Sequence, residues 1–217
     1  MTEKEPVMTG DDRCDQTGET SDLIVRYAYS VMIVVSLAMI LGRLFNTVYL
    51  VEPWVRNWPD KSPSTFSTLS SNDRSRWATV RAIVDNGTYA VGQRTTIGNE
   101  EGDYEDSGIR FETGFRGVDY VLHPDRNKFY SSKPPLLATI IAVPYWLLQK
   151  ITGWTLADNL LEVTRTLLVV INVLPWAVYL WLVSRIVDQH AERMWTRLFV
   201  FATASMGTLL TTFTVTL

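Results

Sequence analysis

The sequence is poor in the residues that form disulfides or bind transition metals. Its 217 residues include one cysteine, Cys14, and two histidines, His123 and His190. A single cysteine excludes an intramolecular disulfide and a cysteine-based metal site. Two histidines so far apart in the sequence do not form the clustered ligand set of a zinc site. We therefore expect no metal site and no cofactor.

The charged residues give no sign of nucleic-acid binding. Lysine and arginine number 20 against 23 acidic residues, the formal charge is −3, and no segment forms a basic stripe. Seven of the acidic residues fall within residues 1–22, together with only two basic residues and few large apolar ones. Such a segment cannot offset its ordering entropy, so we predict a disordered acidic tail over 1–22.

Four apolar runs are long enough to suggest membrane-spanning helices, each of which needs about 20 residues. We predict spans over 23–50, 134–154, 164–187 and 198–217. The stretch before the first run is acidic, which favours an uncleaved anchor over a signal peptide. The last run reaches Leu217 without a polar flank, so we expect the front part of a longer, truncated protein.

Basic residues near the apolar runs weakly favour an N-terminus in the cytoplasm. With that orientation, five of them lie inside and three outside: Lys4, Arg13, Arg26, Lys150 and Arg165 against Arg185, Arg193 and Arg197. The long loop over 51–133 then lies outside the cytoplasm. The predicted fold class is an all-α, multi-pass integral membrane protein with one extracytoplasmic loop.

A short amphipathic helix is predicted within this loop. Asn72 is a favourable N-cap, apolar residues follow at helical spacing from Trp77 to Val84, and Asn86-Gly87 ends the pattern. We predict a surface helix over 73–86 that lies along the membrane.

Asp73 and Lys133 lie at opposite ends of the extramembrane segment that contains this helix. Asp73 falls in the first helical turn, where the helix dipole favours a carboxylate, so it either stabilises the helix or acts as a general base. Lys133 precedes the second apolar run. It either extends toward the membrane surface as an end-of-helix lysine or binds a lipid phosphate.

The remainder of the loop has two different patterns. Five acidic residues within 100–106 lack the ligand order of a calcium site, so we predict a solvated, flexible loop over 93–108. Strand-like runs over 118–123 and 128–132 flank a four-residue turn sequence at 124–127, which predicts a small β-hairpin.

The order of these motifs resembles the front end of GT-C membrane glycosyltransferases. The resemblance covers roughly residues 24–217 and is carried by Asp73, Arg76-Trp77, Gly87-Thr88-Tyr89 and Lys133-Pro134-Pro135-Leu136. Within that class the chain resembles the bacterial branch of glycosyltransferase family 39, which includes aminoarabinose transferases and relatives of protein O-mannosyltransferases.

The resemblance implies an inverting transferase of the bacterial cytoplasmic membrane that uses a polyprenyl-phosphate-linked sugar, with an unknown acceptor. Asp73 would take the proton from the acceptor hydroxyl. Lys133 would stabilise the departing lipid phosphate, assisted by Arg76 and Arg81. Because members of the family have many more spans, we expect this chain alone to be inactive.

Two other classes of function fit the sequence. The main alternative is a non-enzymatic multi-pass membrane protein, such as an assembly subunit or a sensor whose loop binds a partner. A small transporter is disfavoured because the apolar runs contain too few charges for an ion path.

Overall fold

The protein is mostly helical, with one small antiparallel sheet. Its structure, a computed structural model, describes residues 10–46, 70–97 and 102–207. The helices are α1 (Gly10–Asn46), α2 (Ser71–Asn86), α3 (Pro135–Thr152), α4 (Leu160–Leu168), α5 (Leu174–His190) and α6 (Met194–Met206). The strands are β1 (Gly92–Thr96), β2 (Tyr104–Ser107), β3 (Tyr120–His123) and β4 (Lys128–Ser131).

Among the residues that the structure describes, three helices are long enough and apolar enough to cross a membrane. They are Thr20–Asn46 within α1, Pro135–Thr152, and Leu160–His190, which joins α4 to α5 through a π-helical segment at Val169–Val173. They match the first three predicted spans and are consistent with a multi-pass membrane protein. Helix α6 covers only part of the fourth predicted span, and residues 208–217 lie outside the described residues.

The acidic segment at the N-terminus is only partly described. Helix α1 begins at Gly10, so helical geometry extends into the stretch 1–22 for which the composition predicts disorder. Acidic residues are favourable near a helix N-terminus, and a long apolar helix supplies the nucleus from which helical turns propagate. Residues 1–9 lie outside the described residues.

The chain divides into two compact units. The helical unit contains α1 up to Ile40 together with α5 and α6, and the mixed unit contains Leu41–Val173. Within the helical unit, the rings of Tyr29 and Phe201 lie 4.3 Å apart. A buried Ser36 hydroxyl donates to the Ser205 carbonyl at 3.0 Å and accepts from the Trp176 indole at 3.0 Å.

The mixed unit is built on one apolar core. Helix α2 packs against α3, and α3 packs against α4. The largest fully buried side chains of this core come from all parts of the unit: Trp77, Phe115, Ile141, Tyr145, Leu156, Leu167 and Leu168. The predicted surface helix over 73–86 is therefore present as α2, but one face of it is buried against α3 and the sheet.

The described parts of the stretch predicted as a flexible loop over 93–108 form strands β1 and β2, so the prediction was wrong for them; residues 98–101 lie outside the described residues. In the antiparallel register Arg94 lies opposite Asp106, and both carboxylate oxygens accept from its guanidinium at 2.7 and 2.8 Å. The guanidinium carbon lies 3.7 Å from the centre of the Tyr104 ring. The ion pair holds the pKa of Asp106 below its ordinary value, and such cross-strand pairs stabilise a sheet.

The predicted hairpin is confirmed as β3 and β4. Its register pairs Tyr120 with Ser131 and His123 with Lys128, around a turn in which Asn127 adopts a φ of 51°. The sheet order is β2-β1-β4-β3, so the hairpin is one half of a four-stranded sheet. The predicted all-α class with a small hairpin in the loop is therefore too narrow, because the loop carries a four-stranded sheet.

Candidate functional site

Asp73 belongs to a capping box at the start of α2. Ser70 is the N-cap: its hydroxyl accepts from the Asp73 backbone N–H at 3.2 Å, while Asp73 Oδ2 accepts from the Ser70 backbone N–H at 3.2 Å. The Ser70 hydroxyl also lies 3.0 Å from Asp73 Oδ2. Asn72, which the sequence suggests as the N-cap, is instead the second residue of the helix, so that prediction was wrong.

The Asp73 carboxylate is almost completely buried. Only 3 % of the residue is exposed, and its position three residues after the N-cap satisfies donors that the first helical turn otherwise leaves unpaired. The helix-stabilising role weighed for Asp73 therefore matches its geometry.

Lys133 forms an ion pair with Asp119, a residue that the sequence reasoning missed. The Lys133 ammonium lies 3.0 Å from Asp119 Oδ1, and both side chains are about one quarter exposed, at 26 % and 21 %. A hydrogen bond from the Ser71 side chain, and then one from Lys133, hold the pKa of Asp119 below its ordinary value. The carboxylate is therefore ionised at neutral pH.

Serine hydroxyls connect Lys133 to the first turns of α2. The Ser131 hydroxyl accepts from the Lys133 backbone N–H at 3.2 Å and lies 3.1 Å from the Ser75 hydroxyl. The Ser71 hydroxyl accepts from the backbone N–H of Val118 at 2.9 Å. The hairpin thus returns the chain to the first turns of α2, the helix in which Asp73 lies.

We call this group the Lys133 cluster; it consists of Ser71, Ser75, Arg76, Asp119, Ser131 and Lys133. Arg76 belongs to it because its positive charge acts on Asp119 and contributes to lowering the pKa of that carboxyl. Arg76 is half-buried. Two cations thus lie near one carboxylate in a partly exposed position, which suits an anionic ligand.

Arg81 lies outside the Lys133 cluster. It is eight residues after Asp73, about 12 Å further along the helix axis. Its guanidinium pairs with Asp85 at 3.3 Å and with Glu112 at 2.6 Å, and lies over the Phe115 ring at 5.4 Å. The structure therefore groups Lys133 and Arg76 but not Arg81, which was predicted to assist them.

A second polar group lies at the interface of α2 and α3. Asp85 Oδ1 accepts from the Tyr145 hydroxyl and from the Gln149 amide, both at 3.3 Å. The Tyr145 hydroxyl in turn accepts from the backbone N–H of Leu156 at 2.9 Å. With the Arg81–Asp85 pair, these contacts fix α2 and the loop after α3 to one side of α3.

Within the described ranges, no group of three or more histidine, cysteine or acidic residues is arranged to hold a metal ion. An open cleft of about 230 Å³ lies between the end of α2 and β1, lined by residues that include Asn86, Gly92, Ser107 and Lys128. None of the residues lining it belongs to the Lys133 cluster, and it contains no pair of groups suited to acid–base chemistry.

Comparison of the chain with protein-family models, with curated proteins and with solved structures finds no match. The contacts of the Lys133 cluster and the motif resemblance are therefore the two observations on which a function can be argued.

Proposed function

We propose that this chain carries the donor-phosphate site of an inverting glycosyltransferase that uses a polyprenyl-phosphate-linked sugar. The observation that carries the proposal is the meeting of Lys133 with the first turns of α2, directly before the apolar helix α3. A cation at that position lies where the phosphate of a membrane-embedded lipid would be, and the motif order gives the reaction class.

In the free protein, the Asp119 carboxylate occupies the position beside Lys133 that we propose for the anionic ligand. This carboxylate keeps the Lys133 ammonium oriented and partly desolvated. A lipid phosphate would take over the ammonium and gain a second cation from Arg76. During transfer, negative charge builds up on the leaving phosphate, and a fixed ammonium offsets that charge without reorganisation.

For Asp73 to act as a general base, the hydroxyl of the acceptor must replace the Ser70 hydroxyl at the Asp73 carboxylate. The Ser70 hydroxyl lies 3.0 Å from Oδ2, at the distance that an acceptor hydroxyl would need. An acceptor would therefore displace Ser70 and open the first turn of α2. General-base assistance of this kind contributes about 10²–10⁴ in rate.

Binding of undecaprenyl phosphate to the protein in nanodiscs tests the phosphate site, and undecaprenol, which lacks the phosphate, is the control ligand. We expect Lys133→Ala to weaken phosphate binding about tenfold, the value of one lost charge-assisted hydrogen bond. Undecaprenol binding should be unchanged. Lys150→Ala removes a lysine from the far end of α3 and should leave both affinities unchanged.

Equal affinity of wild type and Lys133→Ala for undecaprenyl phosphate would contradict the proposed site. Transfer of a labelled sugar from a polyprenyl-phosphate donor, measured in membranes of cells that express the native gene, tests the reaction class. We expect Asp73→Asn to abolish transfer there and Asp125→Asn, in the exposed hairpin turn, to leave it unchanged.

The burial of Asp73 favours one alternative, a non-enzymatic membrane protein whose loop binds a partner. The capping box accounts for Asp73 without any chemistry, and Val118, next to the Lys133 cluster, is 89 % exposed. If Asp73→Asn retains full transfer, or if those membranes show no transfer, the alternative is preferred.

A further inference from the structure

We infer that α3 does not cross the membrane but lies in the interfacial layer of the bilayer, with its exposed apolar face toward lipid. The inference depends on contacts of the mixed unit alone and does not rest on the proposed transferase function. Length and composition permit α3 to span, but the contacts of its neighbours constrain where it lies.

The end of α1 lies beside the start of α4. The Arg165 guanidinium, in the second turn of α4, donates to the Phe45 carbonyl at 2.7 Å and lies over the Phe45 ring at 5.6 Å. Leu44 shares the apolar core with Val163 and Leu167. If α1 crosses the membrane and ends near Asn46, then Leu160–His190 begins its crossing at the same membrane face.

The chain between the end of α1 and the start of α4 therefore leaves from and returns to the same membrane face. It must cross the membrane an even number of times. Among the described residues of that segment, α3 is the one helix long and apolar enough to span. The undescribed residues 47–69 carry Glu52, Arg56, Asp60 and Lys61 in their sequence, which excludes a second apolar run there. Because this leaves at most one possible crossing, the even number must be zero, and α3 does not cross the membrane.

The polar contacts made by α3 also indicate that it does not cross the membrane. Tyr145 and Gln149 lie about 15 and 21 Å along the helix from Pro135, at 1.5 Å per residue. If α3 stood upright from one face of the bilayer, both would lie deep in a hydrocarbon core that is about 30 Å thick. They contact Asp85, whose partner Arg81 also pairs with Glu112. A charged group of this kind at that depth is costly.

The exposed face of α3 is apolar along its whole length. Leu136, Ile140, Val143, Leu147 and Ile151 recur at helical spacing, and each is more than half exposed, while Ala138, Ile141 and Tyr145 on the opposite side are buried. A helix with one apolar face and a polar, charged partner on the other side suits the boundary between head groups and acyl chains.

A flat α3 also strengthens the charge asymmetry of the chain. Lys150 and Arg165 move to the same side as the long loop. The N-terminal side then holds six basic residues in short segments: Lys4, Arg13, Arg26, Arg185, Arg193 and Arg197. Short cytoplasmic segments carry such an excess, so the N-terminus is placed in the cytoplasm more firmly than by a three-span arrangement.

Labelling with a membrane-impermeant maleimide in intact cells, compared with permeabilised cells, tests the inference. Cys14 is the only native cysteine and reports the N-terminal side. In a Cys14→Ser background, single cysteines are introduced at three exposed positions: Asp125→Cys in the hairpin turn, Ala157→Cys after α3, and Glu192→Cys after α5.

We expect Asp125→Cys and Ala157→Cys to react on one side, and Cys14 and Glu192→Cys on the other. A spanning α3 would instead group Ala157→Cys with Cys14 and Glu192→Cys with Asp125→Cys. That grouping, or any other, overturns the inference. Asp125, Ala157 and Glu192 are exposed, so these substitutions should not disturb folding.

Depth measurement provides a second, independent test. Spin labels at Ile140, Val143, Leu147 and Ile151 report their depth through collisional relaxation by oxygen and by a water-soluble nickel chelate. A flat helix gives four equal depths. A helix along the membrane normal gives depths that differ by about 16 Å from the first to the last position, at 1.5 Å per residue, and that result also overturns the inference.

Discussion

The Lys133 ammonium lies 3.0 Å from Oδ1 of Asp119, and this ion pair connects the end of the hairpin to the start of α2. The Ser71 hydroxyl accepts from the Asp119 backbone N–H at 3.3 Å, so Asp119 is held to the helix through its backbone and to the lysine through its carboxylate. Because these contacts lower the pKa of Asp119, we expect the pair to respond to pH and to substitution.

The lowered pKa of Asp119 predicts a loss of stability in acid. Because the pKa is lower in the folded than in the unfolded protein, the unfolded state binds more protons near the ordinary value of 3.8, and acid favours unfolding. The stabilisation is complete at neutral pH and is lost as the pH falls below that value. We expect the melting temperature in detergent to fall more steeply from about pH 5 to pH 3 in wild type than in Asp119→Asn.

The size of this effect should be small, because the pair is partly exposed and screened. At neutral pH we expect Asp119→Asn to lower the free energy of unfolding by at most about 1 kcal/mol. Asp125→Asn, in the exposed turn, is the matched control. Parallel pH profiles for wild type and Asp119→Asn would show that the carboxylate is not stabilised by folding.

The capping box predicts different effects for two polar residues that lie two positions apart. Ser70→Ala removes the side chain that caps the first turn of α2 and should cost about 1 kcal/mol of unfolding free energy. Asn72→Ala changes an exposed residue of the first turn and should stay within about 0.5 kcal/mol of wild type. Tryptophan fluorescence during unfolding measures both. The reverse order would assign the N-cap to Asn72.

The residue that ends α2 has a left-handed backbone conformation, so a side chain there should lower the free energy of unfolding through backbone strain. Gly87 has a φ of 64°, and a Cβ added there meets nothing within 4 Å. Gly87→Ala should therefore destabilise through strain alone, by about 1–2 kcal/mol. Gly42 is a glycine inside α1 with equal space around it. Gly42→Ala should be neutral or stabilising by up to about 1 kcal/mol.

Two tyrosine hydroxyls on the α2–α3 interface should differ in importance. Tyr145 is fully buried, and its hydroxyl accepts from the Leu156 backbone N–H. Tyr145→Phe would leave that donor unpaired and should cost about 1–3 kcal/mol. Tyr89 is 45 % exposed and its hydroxyl lies 3.0 Å from that of Thr139, so Tyr89→Phe should cost less than about 0.5 kcal/mol. Equal thermal shifts would show that Leu156 finds another partner.

Local patterns predicted several elements of this fold because the signals lie close together in the sequence. The spacing of Trp77, Val80 and Val84 and the stop at Gly87 define α2. The four-residue turn at 124–127 defines the hairpin. That turn also fixes the register, which places Asp119 opposite Ser132 and one residue from Lys133. The partner of Lys133 was therefore within reach of the sequence argument.

Other features depend on contacts between residues that are distant in sequence. The strand pairing of Arg94 with Asp106 spans an acidic, glycine-containing stretch whose composition alone indicates a loop. Arg81 was predicted from its helix to serve Lys133, but Glu112, 31 residues further along the chain, binds it instead. Such competition between partners is decided by tertiary packing, which no local pattern contains.

The length of the hairpin turn also determines which face of the sheet each residue of β4 occupies. Side chains of a strand alternate between faces, so one residue inserted between His123 and Lys128 would shift the register of β4 and exchange its two faces. Phe129 would leave the core, and Lys133 would no longer reach Asp119. The length of this turn should therefore be constant in related chains, and a natural sequence with a five-residue turn here would have to build its cation site from other residues.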